Sequence, residues 1–312
     1  MTDSPGAWPV VLTPFTDGDE VDLAALDRYV DWLLAHEAAG LFAVALSGEM
    51  YELTAVERVA VAARVAARVA GRVPVVATAV GDGDTASSAA RPSTTASLID
   101  EASALVAAGV DIIVLVAATL ARPDEPDALA VERALAVAAA LPQTSFGIYE
   151  CPLPYHRVLS EQSVAALAQS GRFEFFKETS HDVERMGRRV ADAEGTPLRV
   201  YNAGIENYAE SVQVGVAGLS GWVVNVAPDL VTRLGRLAAE EGVSDRVREL
   251  QAALVSVETQ MGATYPASAK AIVERRGALG WTPRSRWRPA AVDAELVGEL
   301  SGLLDRAAAV DA

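Results

Sequence analysis

Phe173-Glu174-Phe175-Phe176-Lys177-Glu178-Thr179-Ser180 puts three aromatic residues into four positions and a lysine directly behind them. Aromatic runs of this kind form strands, and a strand this apolar is a buried one. A lysine at its end would have to lose its water, which costs several kcal/mol for an unpaired ammonium. Two readings follow. Either Glu174 or Glu178 pairs with Lys177 at the surface, or the site lowers the lysine's pKa and uses the neutral amine.

The rest of the chain repeats the same kind of strand. Short apolar runs cover residues 8–15, 41–46, 73–80, 110–116, 145–149, 198–202 and 216–224, and helical patterns separate them. Leu23, Leu26, Val30, Leu33 and Leu34 recur at helical spacing behind Asp22, a candidate cap. Thr54 with Glu57 forms a capping box for the next helix. Residues 81–95, rich in Gly, Ser, Thr and Ala, read as a loop or a frayed helix start. Further helices fall at 97–108 and 128–140 and from about Ser160.

Strands apolar along their whole length belong to parallel sheets whose crossovers are helices. With the lysine strand there are eight, which fits a closed (β/α)8 TIM barrel better than an open sheet. Residues 1–226 are assigned to the barrel. Residues 227–312 are assigned to a C-terminal helical extension packed on it, with helices at 229–240, 245–259, 268–276 and 291–309.

Composition excludes several classes of function. The chain has 312 residues and a formal net charge of −16, which disfavours nucleic acid and anionic membranes as partners. Its single cysteine, Cys151, allows no internal disulfide and no cysteine-rich zinc site. His36, His156 and His181 show no metal-ligand spacing, so no metal and no cofactor is expected. No apolar run approaches ~20 residues, and the expectation is a cytoplasmic protein.

Barrel enzymes work at the carboxyl ends of their strands. Those ends carry Thr13, Ser47-Gly48-Glu49, Thr78, Ala118-Thr119, Tyr149, Lys177, Asn202 with Gly204 and Glu206, and Ser220-Gly221. A lysine in a barrel mouth can form an imine with a carbonyl substrate. A phenol can carry protons for it, although Tyr149 on a strand also reads as a core aromatic. Ser47 and Gly48 can hold a carboxylate. Glu49 is better explained as a cap of the loop beneath the site, and Cys151 as a small apolar filler.

The chain also resembles a known family. Leu12-Thr13-Pro14-Phe15, Ser47-Gly48-Glu49 with Leu53 and Glu57-Arg58, Tyr149 with Pro152, and Lys177 are similar to the dihydrodipicolinate synthase / N-acetylneuraminate lyase family. Residues 215–218, Asn225 with Pro228, Lys270, Gly277 and Arg286 continue the likeness in order. The resemblance implies a Schiff-base lyase, an aldolase or dehydratase, acting on pyruvate or a related 2-oxo acid. Lys177 would form the imine and Tyr149 would carry protons. Asn202, Gly204 and Glu206 would face the variable part of the substrate. Ser47, Gly48, Thr13, Gly204, Glu206 and Gly221 would bind substrate, and the chain would assemble as a homo-oligomer, a dimer or tetramer.

The departures are specific. The family's Gly-Thr-Thr-Gly-Glu reads Ala45-Leu46-Ser47-Gly48-Glu49 here, so one hydroxyl has become Leu46. Ala118-Thr119-Leu120 stands where the synthases carry Pro-Tyr-Tyr, and Pro154 stands near the place of their substrate arginine, with Arg157 three residues on. The expectation is a divergent member, not a true dihydrodipicolinate synthase, with a different and less polar acceptor. Two rivals stay open: a non-catalytic or regulatory barrel, and a phosphate- or flavin-binding barrel using Gly215, Gly218 and Gly221. Against the latter, no Lys or Arg occurs from Tyr201 through Thr232.

Overall fold

A computed structural model describes residues 5–83 and 91–309. Part of the expected loop at 81–95 therefore lies outside the described residues. Eight parallel strands close on one another in the order β1-β8-β7-β6-β5-β4-β3-β2, a (β/α)8 TIM barrel with extra C-terminal helices. The strands are β1 (Gly6–Ala7), β2 (Leu41–Val44), β3 (Val75–Ala79), β4 (Ile112–Val116), β5 (Ser145–Tyr149), β6 (Phe173–Glu178), β7 (Arg199–Asn202) and β8 (Gly218–Leu219). The helices are α1 (Leu23–Ala35), α2 (Ala55–Val69), α3 (Thr95–Ala107), α4 (Ala117–Leu120), α5 (Asp127–Ala140), α6 (Glu161–Gln169), α7 (Val183–Asp192), α8 (Tyr208–Gln213), α9 (Pro228–Glu241), α10 (Asp245–Met261), α11 (Ala267–Gly277) and α12 (Ala294–Ala309).

The caps read from sequence are in place. Asp22 accepts from the Ala24 and Ala25 N–H groups, and Thr54 with Glu57 forms a reciprocal box. Three elements differ from expectation. The first strand is Gly6–Ala7 rather than 8–15, because Pro9 and Pro14 have no N–H to give a ladder. The barrel still closes there: Phe42 N donates to Pro9 O and Val11 N to Phe42 O, both at 2.9 Å. The last strand is Gly218–Leu219 rather than 216–224, since the chain turns into a 3-10 helix at Val223–Asn225. Residues Ala117–Leu120, expected as strand end and loop, form α4.

Helix α9 packs on β1 and β8, where the eighth helix of a barrel sits. A boundary at 226/227 would assign it to the extension; by packing, the added helices are α10, α11 and α12.

The barrel interior below the mouth is filled with rings. Trp8 lies 5.2 Å from Phe175 and 4.8 Å from Tyr201, while Phe42 lies 5.6 Å from Phe175 and 5.9 Å from Tyr149. Such pairs add about 0.5–1.5 kcal/mol each beyond the area they bury. They also form a dry floor. Gly218 lets β1 and β8 meet, because a Cβ there would strike the Gly6 carbonyl. That glycine serves sheet closure, which removes part of the reason to read a phosphate site around it.

Candidate active site

Lys177 stands near the end of β6 and is 5% exposed. Its in-register neighbour on β5 is Tyr149, so adjacent parallel strands deliver the two side chains side by side. The Lys177 Nζ lies 4.6 Å from the Tyr149 ring centre and 5.6 Å from that of Phe42. Neither expected carboxylate partner reaches it. Glu174 accepts from Ser145 Oγ, and Glu178 from Arg189. Burial without an ion-pair partner brings the Lys177 pKa down to about 8, only partly opposed by Cys151 and Glu258. The second of the two sequence readings, a neutral amine, is therefore the one the surroundings favour.

The Tyr149 phenol is held well above its ordinary pKa, first by burial and then by Cys151 beside it, so it is a protonated donor. Cys151 has its thiol pushed up to about 11 by burial. Tyr51 continues this line: its hydroxyl lies 4.0 Å from Cys151 Sγ and donates to Leu153 O at 3.0 Å.

Ser47 lies in the turn Leu46–Gly48, which follows β2. Thr13 Oγ1 donates to Gly48 O at 2.7 Å from below. Glu49, in the left-handed region at φ 64°, accepts from Lys270 Nζ (2.6 Å), Ser285 Oγ (3.0 Å), Arg286 N (2.7 Å) and Trp287 N (2.8 Å). Its carboxylate is fully used in tying the turn to the C-terminal region. Tyr265 is within hydrogen-bonding reach of Ser47, receives Asn225 Nδ2 at 2.6 Å, and stacks on Trp222 at 4.4 Å.

A cavity of about 290 Å³ opens above Lys177. Leu46, Ser47 and Tyr149 line one side; Pro152, His156, Thr179 and His181 another; Ala203, Ser220, Gly221, Trp222 and Glu258 close it. The structure thus brings Lys177, Tyr149, Ser47 and Gly221 to one space. Thr13 and Gly48 lie under its wall rather than on it. Glu206 lies at the lip, paired with His181 Nδ1 at 2.6 Å, and a Cβ on Gly204 would collide with that pair. The pairing raises the His181 pKa and lowers that of Glu206. Asn202 spends its amide on Asn207, Ser211 and the Gly204 N–H. Thr119 donates back to Val116 O inside α4 and does not line the cavity.

Sequence reasoning missed Glu258, Trp222, Tyr265 and Tyr51. Trp222 directly follows Gly221 on the predicted rim and could have been included. Glu258 and Tyr265 come from the extension and carry no local signal. The cavity wall is mixed, with His156, His181, Ser220 and Glu258 as its polar part and Leu46, Pro152 and Trp222 as its apolar part. Among the described residues, no three His, Cys, Asp or Glu side chains gather as a metal set would.

The sequence model of the dihydrodipicolinate synthetase family matches residues 3–295. The chain belongs to that family. Among family relatives, a 4-hydroxy-tetrahydrodipicolinate synthase of Saccharophagus degradans is 28% identical over 256 residues, covering 82% of each chain. An uncharacterized lyase of the same kind from Halobacterium salinarum is 31% identical over 274 residues, 87% of this chain and 84% of its own. In fold, a prophage protein of the dihydrodipicolinic acid synthase family from E. coli K12, solved in complex with pyruvate, superposes with a TM-score of 0.80. It is 20% identical and covers 97% of this chain and 98% of its own. No helix among the described residues is long and apolar enough to cross a membrane.

Proposed function

We propose that the protein is a Schiff-base-forming lyase, an aldolase or dehydratase, acting on pyruvate or a related 2-oxo acid, and not a true dihydrodipicolinate synthase. The observation that carries the proposal is Lys177: a buried amine without a carboxylate partner, pKa about 8, opening on a closed-sided cavity beside a protonated phenol. The neutral amine adds to the C2 carbonyl, and the carbinolamine loses water to give an iminium. Its positive nitrogen then accepts the electron pair released when the C3–C4 bond or a C3–H bond breaks, giving an enamine that can in turn expel a C4 hydroxyl. Tyr149 gives a proton to the departing hydroxyl and takes one back on hydrolysis. Ser47 and the backbone N–H groups of its turn bind the substrate carboxylate, on the same side of the cavity as the apolar Leu46.

Two features support divergence from the synthases. Leu46 and the buried, self-satisfied Thr119 leave Tyr149 without the family's hydroxyl partners. Among the described residues, no arginine lines the cavity to receive a second carboxylate; Arg157 is occupied by Asp127 at 2.6 Å and by backbone carbonyls. The phosphate- or flavin-binding alternative gains nothing here, since among the described residues Lys177 is the one Lys or Arg side chain around the cavity. A homo-oligomer, dimer or tetramer, is inferred from the family alone, and light scattering tests it.

The central test is borohydride reduction in the presence of pyruvate. A covalent adduct on the peptide carrying Lys177, absent in Lys177→Ala, is the expected result. An adduct elsewhere, or none with any 2-oxo acid, would refute the mechanism.

A further inference from the structure

Tyr265 is a buried phenol of the C-terminal extension that reaches Ser47 from behind, and it does not line the cavity itself. We propose that Tyr265 is a positioning residue, which by donating its proton to Ser47 makes the Ser47 hydroxyl a hydrogen-bond donor aimed at the substrate carboxylate. The inference rests on the imine reading above and names what sets the polarity of that same site.

The direction of each hydrogen bond follows from the one before it. Val10 N donates to Asn225 Oδ1 at 2.8 Å. A flipped amide would set Nδ2 against that N–H, donor to donor, so the amide orientation is fixed. Tyr29 holds the same residue by its backbone, its hydroxyl donating to Asn225 O at 2.8 Å. Asn225 Nδ2 therefore faces Tyr265 and donates to the phenol oxygen at 2.6 Å.

Burial holds the Tyr265 phenol well above its ordinary pKa, so it keeps its one proton. Among the described residues, the side chains within hydrogen-bonding reach of it are Asn225 and Ser47. Asn225 Nδ2 can only donate, so the phenol proton goes to Ser47 Oγ. Trp222 stacks on the Tyr265 ring at 4.4 Å and 10°, which keeps the phenol from swinging away. Ser47 Oγ is then an acceptor on its Tyr265 side, and its own proton must point elsewhere. Ser47 lines the cavity, and a ligand there is placed to take that proton. A hydroxyl that receives a hydrogen bond also gives a stronger one, which suits a carboxylate. Without Tyr265 the same hydroxyl would be free to face the protein as readily as the ligand.

The test reads the pyruvate concentration that half-saturates borohydride trapping on the full chain, beside the maximal trapping rate. Tyr265→Phe is expected to raise that concentration ~5-fold, and by more than it lowers the maximal rate, as a weakened hydrogen bond to a charged group implies. In a Ser47→Ala background the same substitution should add less than ~2-fold, because the hydroxyl it orients is gone. Asn225→Asp reverses the chain without emptying it. The new carboxylate accepts the phenol proton, Ser47 turns to donate to Tyr265, and the half-saturating concentration should rise at least ~5-fold again. A concentration unmoved by both Tyr265→Phe and Asn225→Asp would overturn the inference while leaving the imine reading intact. So would an effect of Tyr265→Phe that is as large without Ser47 as with it, or one confined to the maximal rate. Failure to trap pyruvate on the unsubstituted chain would remove both.

Discussion

At the scale of single residues, the side chain that matters most is Lys177, and its behaviour follows from what is absent around it. With a pKa near 8 instead of 10.5, about a tenth of the amine is neutral at pH 7, roughly 300-fold more than for an ordinary lysine. The trapping rate at saturating pyruvate should therefore rise about tenfold per pH unit below 8 and level off above it. A profile still climbing at pH 10 would mean that the amine is not depressed. Tyr149→Phe should keep the fold and some trapping but lower turnover by ~100-fold or more, the usual weight of a general acid–base. Full turnover in that variant would point to water or to the Tyr51–Cys151 side as the proton carrier. Both residues were legible from sequence because strand ends of a barrel point at one face. Glu258 was not: on a polar helical stretch it reads as one more solvated carboxylate, and only the docking of α10 places it at the mouth.

At the scale of elements, the register between β5 and β6 is secured by a buried cluster just behind the site. Arg189 of α7 donates to Glu150 at 2.9 and 3.2 Å, after β5, and to Glu178 at the end of β6, all three fully buried. Burial holds Glu150 up at about 7, with Arg189 pulling it down and Glu178 pushing it up. Removing the guanidinium would leave two carboxyls facing each other without a cation. Arg189→Met should lower the unfolding free energy by ~3–5 kcal/mol, read from urea titrations. In that variant Glu150 loses the cation that lowers its pKa and keeps its proton above pH 7 when folded, whereas in the unsubstituted protein it gives the proton up at about 7. The deficit should therefore shrink as pH falls toward about 7 and stay level below it. A deficit independent of pH would show that the loss is one of packing. Nothing in the sequence pairs Glu150, Glu178 and Arg189, since three separate elements contribute them. The proline-interrupted first strand and the two-residue last strand were misjudged for a related reason. Apolar pattern reports burial, whereas ladder bonds depend on which N–H groups exist and where the chain turns.

At the scale of the whole molecule, the barrel and its extension are joined at several places, and the most deeply buried charged one is at Glu49. Lys270 of α11 and Glu49 form a buried ion pair, and Lys270 also donates to Arg284 O at 2.5 Å. Lys270→Met would leave Glu49 without its cation, and should cost ~3–5 kcal/mol. Because Glu49 directly follows the Ser47 turn, the same variant should raise the pyruvate concentration for half-maximal trapping more than it lowers the maximal rate. Loss of stability with that concentration unchanged would separate the joint from the site. The fold class and the run of helices were readable because burial on both faces leaves strands uniformly apolar. The role of the extension was not, since it rests on contacts across more than two hundred residues.

Those long contacts also bear on biogenesis. Glu49 meets its partners at sequence separations of 221, 236, 237 and 238 residues. During vectorial synthesis, strands β1 to β8 leave the ribosome well before residues 285–287 do, so the Ser47 turn exists for that interval with the Glu49 carboxylate uncovered and without its partners. Lys177 can be in place long before the turn beside it is set. A nascent chain paused after α9 should therefore possess a collapsed barrel that is open to proteases at residues 46–54, and that protection should arrive only once Trp287 has emerged.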